Sequence, residues 1–265
     1  MKWLLSFVLV LGACKKPEPP PKNEFEAFER RYRGYHAFLL DRARKDGETI
    51  EKADLDPSYR AMFIGPSGVF VDRKLVATLA ELETKQADIA AAIDANIAMV
   101  PSVRWTPVVT FALETEPASV AVSALRLFKG KPVQVMRVVA GPDMPVRASE
   151  TLCEAARPAD PTAQESEGPK LSVLIDARDL WLGLSKINEF QQIPKTRDGY
   201  DFERLETTLK EHKASSFFAE RADMEIAAKA GTSGDVLIAM SIACKVGFVD
   251  PTVMLPEQLS AKPPL

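Results

Sequence analysis

Three cysteines and two histidines are the residues of this 265-residue chain best suited to covalent or metal chemistry. The cysteines are Cys14, Cys153 and Cys244; the histidines are His36 and His212. Neither histidine has His, Cys or Glu neighbours at the spacing of a metal site, so no metal and no other cofactor is expected. His36 falls in an aromatic stretch. His212 sits near the end of a helix pattern, where a contact with the helix dipole is the simpler reading. No Gly-x-Ser-x-Gly elbow occurs, which leaves a serine hydrolase without an anchor for its nucleophile. Gly231-Thr232-Ser233-Gly234 precedes a helix pattern, and its amides could hold an anion. It lacks the lysine and the spacing of a phosphate loop, and reads first as a helix start. No catalytic residue is assigned, and the chain is not expected to be an enzyme.

What Cys14 can do depends on its surroundings. Met1-Lys2 gives a positive start, and Trp3–Leu11 is an apolar run broken only by Ser6. A spanning helix needs about 20 apolar residues, so this run reads as a signal-peptide core over residues 1–13. Leu11-Gly12-Ala13-Cys14 resembles the bacterial lipobox. The resemblance implies cleavage before Cys14 and lipidation of its sulfur; the alternative is an ordinary secretory signal with an incidental cysteine. Each buried methylene adds ~0.8 kcal/mol, so several acyl chains anchor firmly. Residues 14–23 carry Pro17, Pro19, Pro20 and Pro21, a stiff extended tether between lipid and folded body. Lys15 rather than an aspartate follows the cysteine, which favours the outer membrane, with the protein facing the periplasm. In that oxidising compartment Cys153 and Cys244 suggest a disulfide, against the alternative of two separate thiols.

The elements that would position these residues follow from periodicity. The chain is 46% hydrophobic and 27% charged, ordinary for a globular protein, and a net charge of −3 makes nucleic acid an unsuitable partner. Phe25, Phe28, Tyr32, Tyr35, Phe38 and Leu39 recur at helical steps and predict a helix over Glu24–Lys45, within an N-terminal helical segment 24–57. Two short strands are expected around the Gly-Pro-Ser-Gly turn of Ala61–Val71, then a helix over Leu75–Met99. Strand Pro107–Leu113, a helix opened by Pro117 and closed by Gly130, and strand Val133–Val139 follow. Residues 143–169 are rich in Pro, Ala and Glu and read as a linker. Beyond it lie two strands in Leu171–Leu184 and a helix over Tyr200–Lys213 capped by Asp201. Strand Asp223–Ala230, helix Ser233–Phe248 ended by Gly247 and strand Pro251–Leu255 complete the order.

The second half repeats the first. Ile64 falls on Ile175, Val69 on Leu180, Phe70 on Trp181 and Val71 on Leu182. Thr110-Phe111-Ala112 falls on Glu225-Ile226-Ala227, and the helix "SVAVSALRLFKGK" on "GDVLIAMSIACKVG". The expected fold class is α+β: two tandem two-layer domains, each a mixed sheet with helices on one face, preceded by an N-terminal helix. Their bounds are 58–142 and 170–260.

"GYDFERLETTLKEHK", "ADMEIAAKAG", "GDVLIAMSIACKVGF" and "PTVML" together resemble the periplasmic domain of the ExbD/TolR family of biopolymer transport proteins. The resemblance covers 170–255, and 61–139 more faintly. It implies a domain that dimerises, works beside ExbB/TolQ-type or TonB/Tol-type envelope proteins, and engages peptidoglycan or a protein partner. Family members hang on a transmembrane helix bearing a proton-carrying aspartate. This chain's N-terminal apolar run has no Asp, and Lys229 stands near the place of an acid common after the family's third strand. The resemblance therefore carries the fold and the partner-binding role but not the motor role. The favoured expectation is a lipid-anchored accessory protein of such a system; the alternative is a structural lipoprotein on peptidoglycan.

Overall fold

The computed structural model describes residues 19–28, 30, 62–99, 107–131, 133–139, 148–153 and 168–263, with backbone alone at 108, 134, 136–139 and 148–153. The signal segment, Cys14, His36, most of 24–57, and residues 143–147 and 154–167 of the expected linker lie outside the described residues. Helical residues 24–28 are α1. Strands β1 (Met62–Gly65), β2 (Gly68–Val71) and β3 (Lys74–Ala77) lead to α2 (Gln86–Ala98). Strand β4 (Val108–Phe111), α3 (Ala118–Arg126), β5 (Gln134–Val139) and β6 (Ala148–Cys153) finish the first half. In the second half β7 (Leu171–Ile175), β8 (Asp179–Leu184) and β9 (Glu189–Pro194) lead to α4 (Phe202–Ala214). Then come β10 (Asp223–Ala228), α5 (Ser233–Val246) and β11 (Asp250–Val253).

Both halves follow one topology. The first sheet runs β3-β2-β1-β4-β5-β6 and the second β9-β8-β7-β10-β11, so the fold is α+β with two tandem mixed-sheet units, as expected. Equivalent hairpins share a register: Ile64 faces Val69 as Ile175 faces Leu180, and Phe63 faces Phe70 as Leu174 faces Trp181. The match of β4 to β10 needs correction. Thr110 lies opposite Phe63 and Ala227 opposite Leu174, so Thr110 corresponds to Ala227, two residues beyond the sequence alignment. An even slip keeps every side chain on its own face, which is why the apolar pattern could not detect it.

Three strands were not expected. β3 occupies the start of the helix that the periodicity predicts over Leu75–Met99; the helix itself begins only at Gln86. Asp72 and Arg73, at φ 48° and 68°, make a two-residue turn of the kind that returns a hairpin directly. β6 lies inside the stretch read as a linker and pairs antiparallel with β5. β9 pairs antiparallel with β8 over its whole length.

The inner faces of both sheets and the helices between them form one apolar cluster, from Met62 and Ile64 to Ile226 and Val253. α3 packs on α5 and reaches β10 and β11, while α5 packs on β10, β11 and β6 of the other sheet. The outer faces are covered too. Phe25 is buried against Phe63 and Phe70, with Phe28 joining, and Leu259 is buried against Leu174 and Ala227, with Trp181 and Met254 alongside. Strands β1, β2 and β7 are therefore buried on both faces, which explains their unbroken apolar sequences.

The two units meet at the first turns of α3 and α5. Pro117 and Thr232 form an antiparallel bridge. The amide of Ala118 donates to the Gly231 carbonyl at 3.1 Å, and that of Ser233 donates to the Glu116 carbonyl at 2.7 Å. A shift of 115 residues exchanges these two bonds, so the contact has local two-fold character. Thr232 caps α5 in a capping box with Asp235, whereas α3, opened by Pro117, has no side-chain cap of its own. Ser233, fully buried, supplies it: its Oγ accepts from the Ala121 amide at 3.2 Å and donates to the Pro117 carbonyl at 2.8 Å. Ser233→Ala leaves a buried amide and carbonyl without this partner. It should lower unfolding stability by about 1–3 kcal/mol, read as a reduced urea midpoint at unchanged m-value; an unchanged midpoint would show that the hydroxyl does not hold the junction.

Candidate functional site

Cys244 lies on α5 and is held in a disulfide. Cys153 ends β6, the strand that packs on α5, and its side chain is outside the described residues. The Gly231–Gly234 loop is the helix start expected. Three of its amides are spent internally: Thr232 donates to the Asp235 carboxylate, Ser233 to the Glu116 carbonyl and Gly234 to the Glu114 carbonyl. Lys229 is exposed. Among the described residues no group of three or more His, Cys, Asp or Glu is placed to hold a metal, and no helix is long and apolar enough to cross a membrane.

His212 lies in the last turn of α4, at the helix end where the sequence places it. Its ring meets Phe218 edge-on, with centroids 6.2 Å apart. Burial pushes its pKa below the ordinary value, against the charges of Glu211 and Glu189. The effect of low dielectric on the charged form outweighs the acids around it.

Where the two units differ, a site opens. In the first sheet β6 covers the outer side of β5; in the second the equivalent strand, β11, is the last in its sheet among the described residues. Beside it, a cleft of about 70 Å³ lies between β11 and the end of α3, lined by Leu125, Phe128, Val133, Met240 and Val253. Lys129 and Asp250 also line it. Burial and the charge of Asp223 push Asp250 upward, with Lys129 opposing. A cleft of this size is well below that of a cofactor pocket and suits one or two apolar side chains. The ladder bonds of β11 start from the amides of Asp250 and Met254. Alternate residues, Pro251 and Val253, therefore turn their backbone outward. Pro251 has no N–H, so the edge offers the Val253 amide and carbonyl groups only, a partial protection against indiscriminate pairing.

Sequence reasoning assigned no residue to this cleft. Its walls come from two distant segments, one from Leu125 to Val135 and one from Met240 to Val253, and no local pattern in the chain brings them together. Comparison with protein-family models, with curated proteins and with solved structures finds no match.

Two outcomes follow. Non-reducing peptide mapping should find Cys244 joined to Cys153; a Cys244 peptide joined to Cys14, or carrying a free thiol, would refute the pairing. For His212, the folded state prefers the neutral ring, so its contribution to stability is complete above the unfolded pKa of about 6.5 and is lost as pH falls below it. NMR titration should place His212 below that value, and acidification from about pH 7 to 5 should destabilise the parent chain more than His212→Gln.

Proposed function

We propose that this chain is a lipid-anchored envelope protein whose paired ExbD/TolR-like units bind protein partners, as an accessory component of a TonB/Tol-type biopolymer transport system. The observation that carries this reading is the duplicated strand order, β3-β2-β1-β4-β5 and β9-β8-β7-β10-β11, joined face to face through α3 and α5. A family domain that acts as a dimer would have its counterpart here within one chain. The open β11 edge with its cleft supports binding of an extended partner segment by strand addition. The lipid on Cys14 and the tether hold the units in the periplasm, at the outer membrane, in place of a proton-conducting helix. Cys153 and Cys244 fasten β6 to α5.

Co-purification from envelope extracts with ExbB/TolQ-type or TonB/Tol-type proteins is expected, and should weaken when Val253→Pro removes the outward amide. Absence of any such association, together with co-sedimentation on purified peptidoglycan, would favour a structural lipoprotein instead. Cys14→Ser should move the protein from the membrane to the soluble fraction; a protein that stays bound has another anchor.

A further inference from the structure

The segment after β11 lies across the outer face of the second sheet as a ligand lies in a site. Leu259 is buried among Leu174, Ala227, Trp181 and Met254. The next residue is read by a buried carboxylate: Glu225 accepts from the Ser260 amide at 2.8 Å and from its hydroxyl. Ser172 completes the arrangement, donating to Glu225 at 2.7 Å and accepting from the Ala261 amide at 3.4 Å. Ala261 is buried over Gly183, where an added Cβ would stand 2.7 Å from the Ala261 Cβ. The site thus takes an apolar side chain, then a residue with both N–H and hydroxyl, then a small one.

Two observations distinguish this segment from fixed core. It is held to the sheet through the side chains of Glu225 and Ser172 rather than by strand pairing, since β10 and its neighbours pair only with one another. The indole Nε1 of Trp181 is buried in the same face and has no hydrogen-bond partner. A buried donor left unpaired is destabilising, so an occupant offering an acceptor there would fit better than the segment does. The other unit differs: its outer face is closed by the interlocked rings of Phe25, Phe28, Phe63 and Phe70.

We propose that this face is a peptide-binding site, held closed by residues 259–261, for an extended segment of a partner protein with an apolar–Ser/Thr–small sequence and a carbonyl placed for the Trp181 indole. It is separate from the β11 edge and does not depend on the envelope reading.

The test uses the full chain and a fluorescein-labelled synthetic peptide with the sequence of residues 255–263. A Leu259→Asp, Ser260→Pro double variant should bind it, by anisotropy, at least ~10-fold more tightly than the parent chain, whose site is self-occupied. Adding Glu225→Gln should abolish most of that gain. A folded double variant that binds no better than the parent, or a gain indifferent to Glu225, overturns the proposal. Should the double variant fail to fold, hydrogen exchange on the parent chain decides. Ser260 and Ala261 amides exchanging well ahead of β10 support a displaceable segment; exchange in step with β10 refutes it. Concentration-dependent dimers of the parent chain that exchange this segment would assign the site to a second copy and overturn the choice of partner.

Discussion

The reciprocal bridge between the first turns of α3 and α5 is the contact on which the rest of the molecule depends. Each helix start lacks partners for its first amides, and at this junction each unit answers part of the other's need. Ser233 is the clearest case, because it serves as cap to a helix more than a hundred residues away. Once the two starts are locked, α3 and α5 lie side by side, and the inner faces of both sheets have nowhere to go but onto them. A single core then joins halves that would otherwise be small domains of marginal burial.

Symmetry explains the frame, and departures from it explain the surfaces. The hairpins β1–β2 and β7–β8 keep one register, so Phe63 and Phe70 occupy the places of Leu174 and Trp181. Two phenylalanines at one pair of positions and a leucine with a tryptophan at the other give the two outer faces different covers. At the opposite margin, among the described residues, β6 covers β5 in one unit and no strand covers β11 in the other. Duplication followed by unequal elaboration would produce this pattern: the shared core stays alike because packing resists change, while margins and outer faces diverge.

Most of the frame could be read from the chain because its signals are local. Apolar runs bounded by Gly and Pro marked β1, β2, β7 and β8; Asp201 and Gly247 marked helix ends, and the structure bears them out, with the Asp201 carboxylate accepting from the Arg204 amide and Gly247 at φ 109°. β3 and β9 escaped because each buries a single residue, Ala77 and Ile193, too few to write an alternating pattern. "KLVA" is mostly exposed and merges with the periodicity of the residues after it. "EFQQIP" is largely polar, and "ASETLC" sits in a Pro- and Ala-rich stretch. The candidate sites were less legible still. The cleft depends on which edge is open, and Glu225 gains its meaning from Ser260, a partner 35 residues away. Such pairings are set by tertiary geometry, to which local periodicity is blind.

Phe25 has a consequence for distance. The ring is buried on the outer face of the first sheet, and the carbonyl of Pro19 accepts from Arg30, so the chain is already gripped within the proline run. If Cys14 carries lipid as proposed, about five residues would separate it from that grip, at most ~17 Å at full stretch. The proline run then acts less as a long mast than as a short hinge pin. The first unit would ride close above the lipid headgroups and turn its α1-covered side toward them. The second unit, with its β11 edge and the segment proposed to be displaceable, would be the one left to meet whatever approaches.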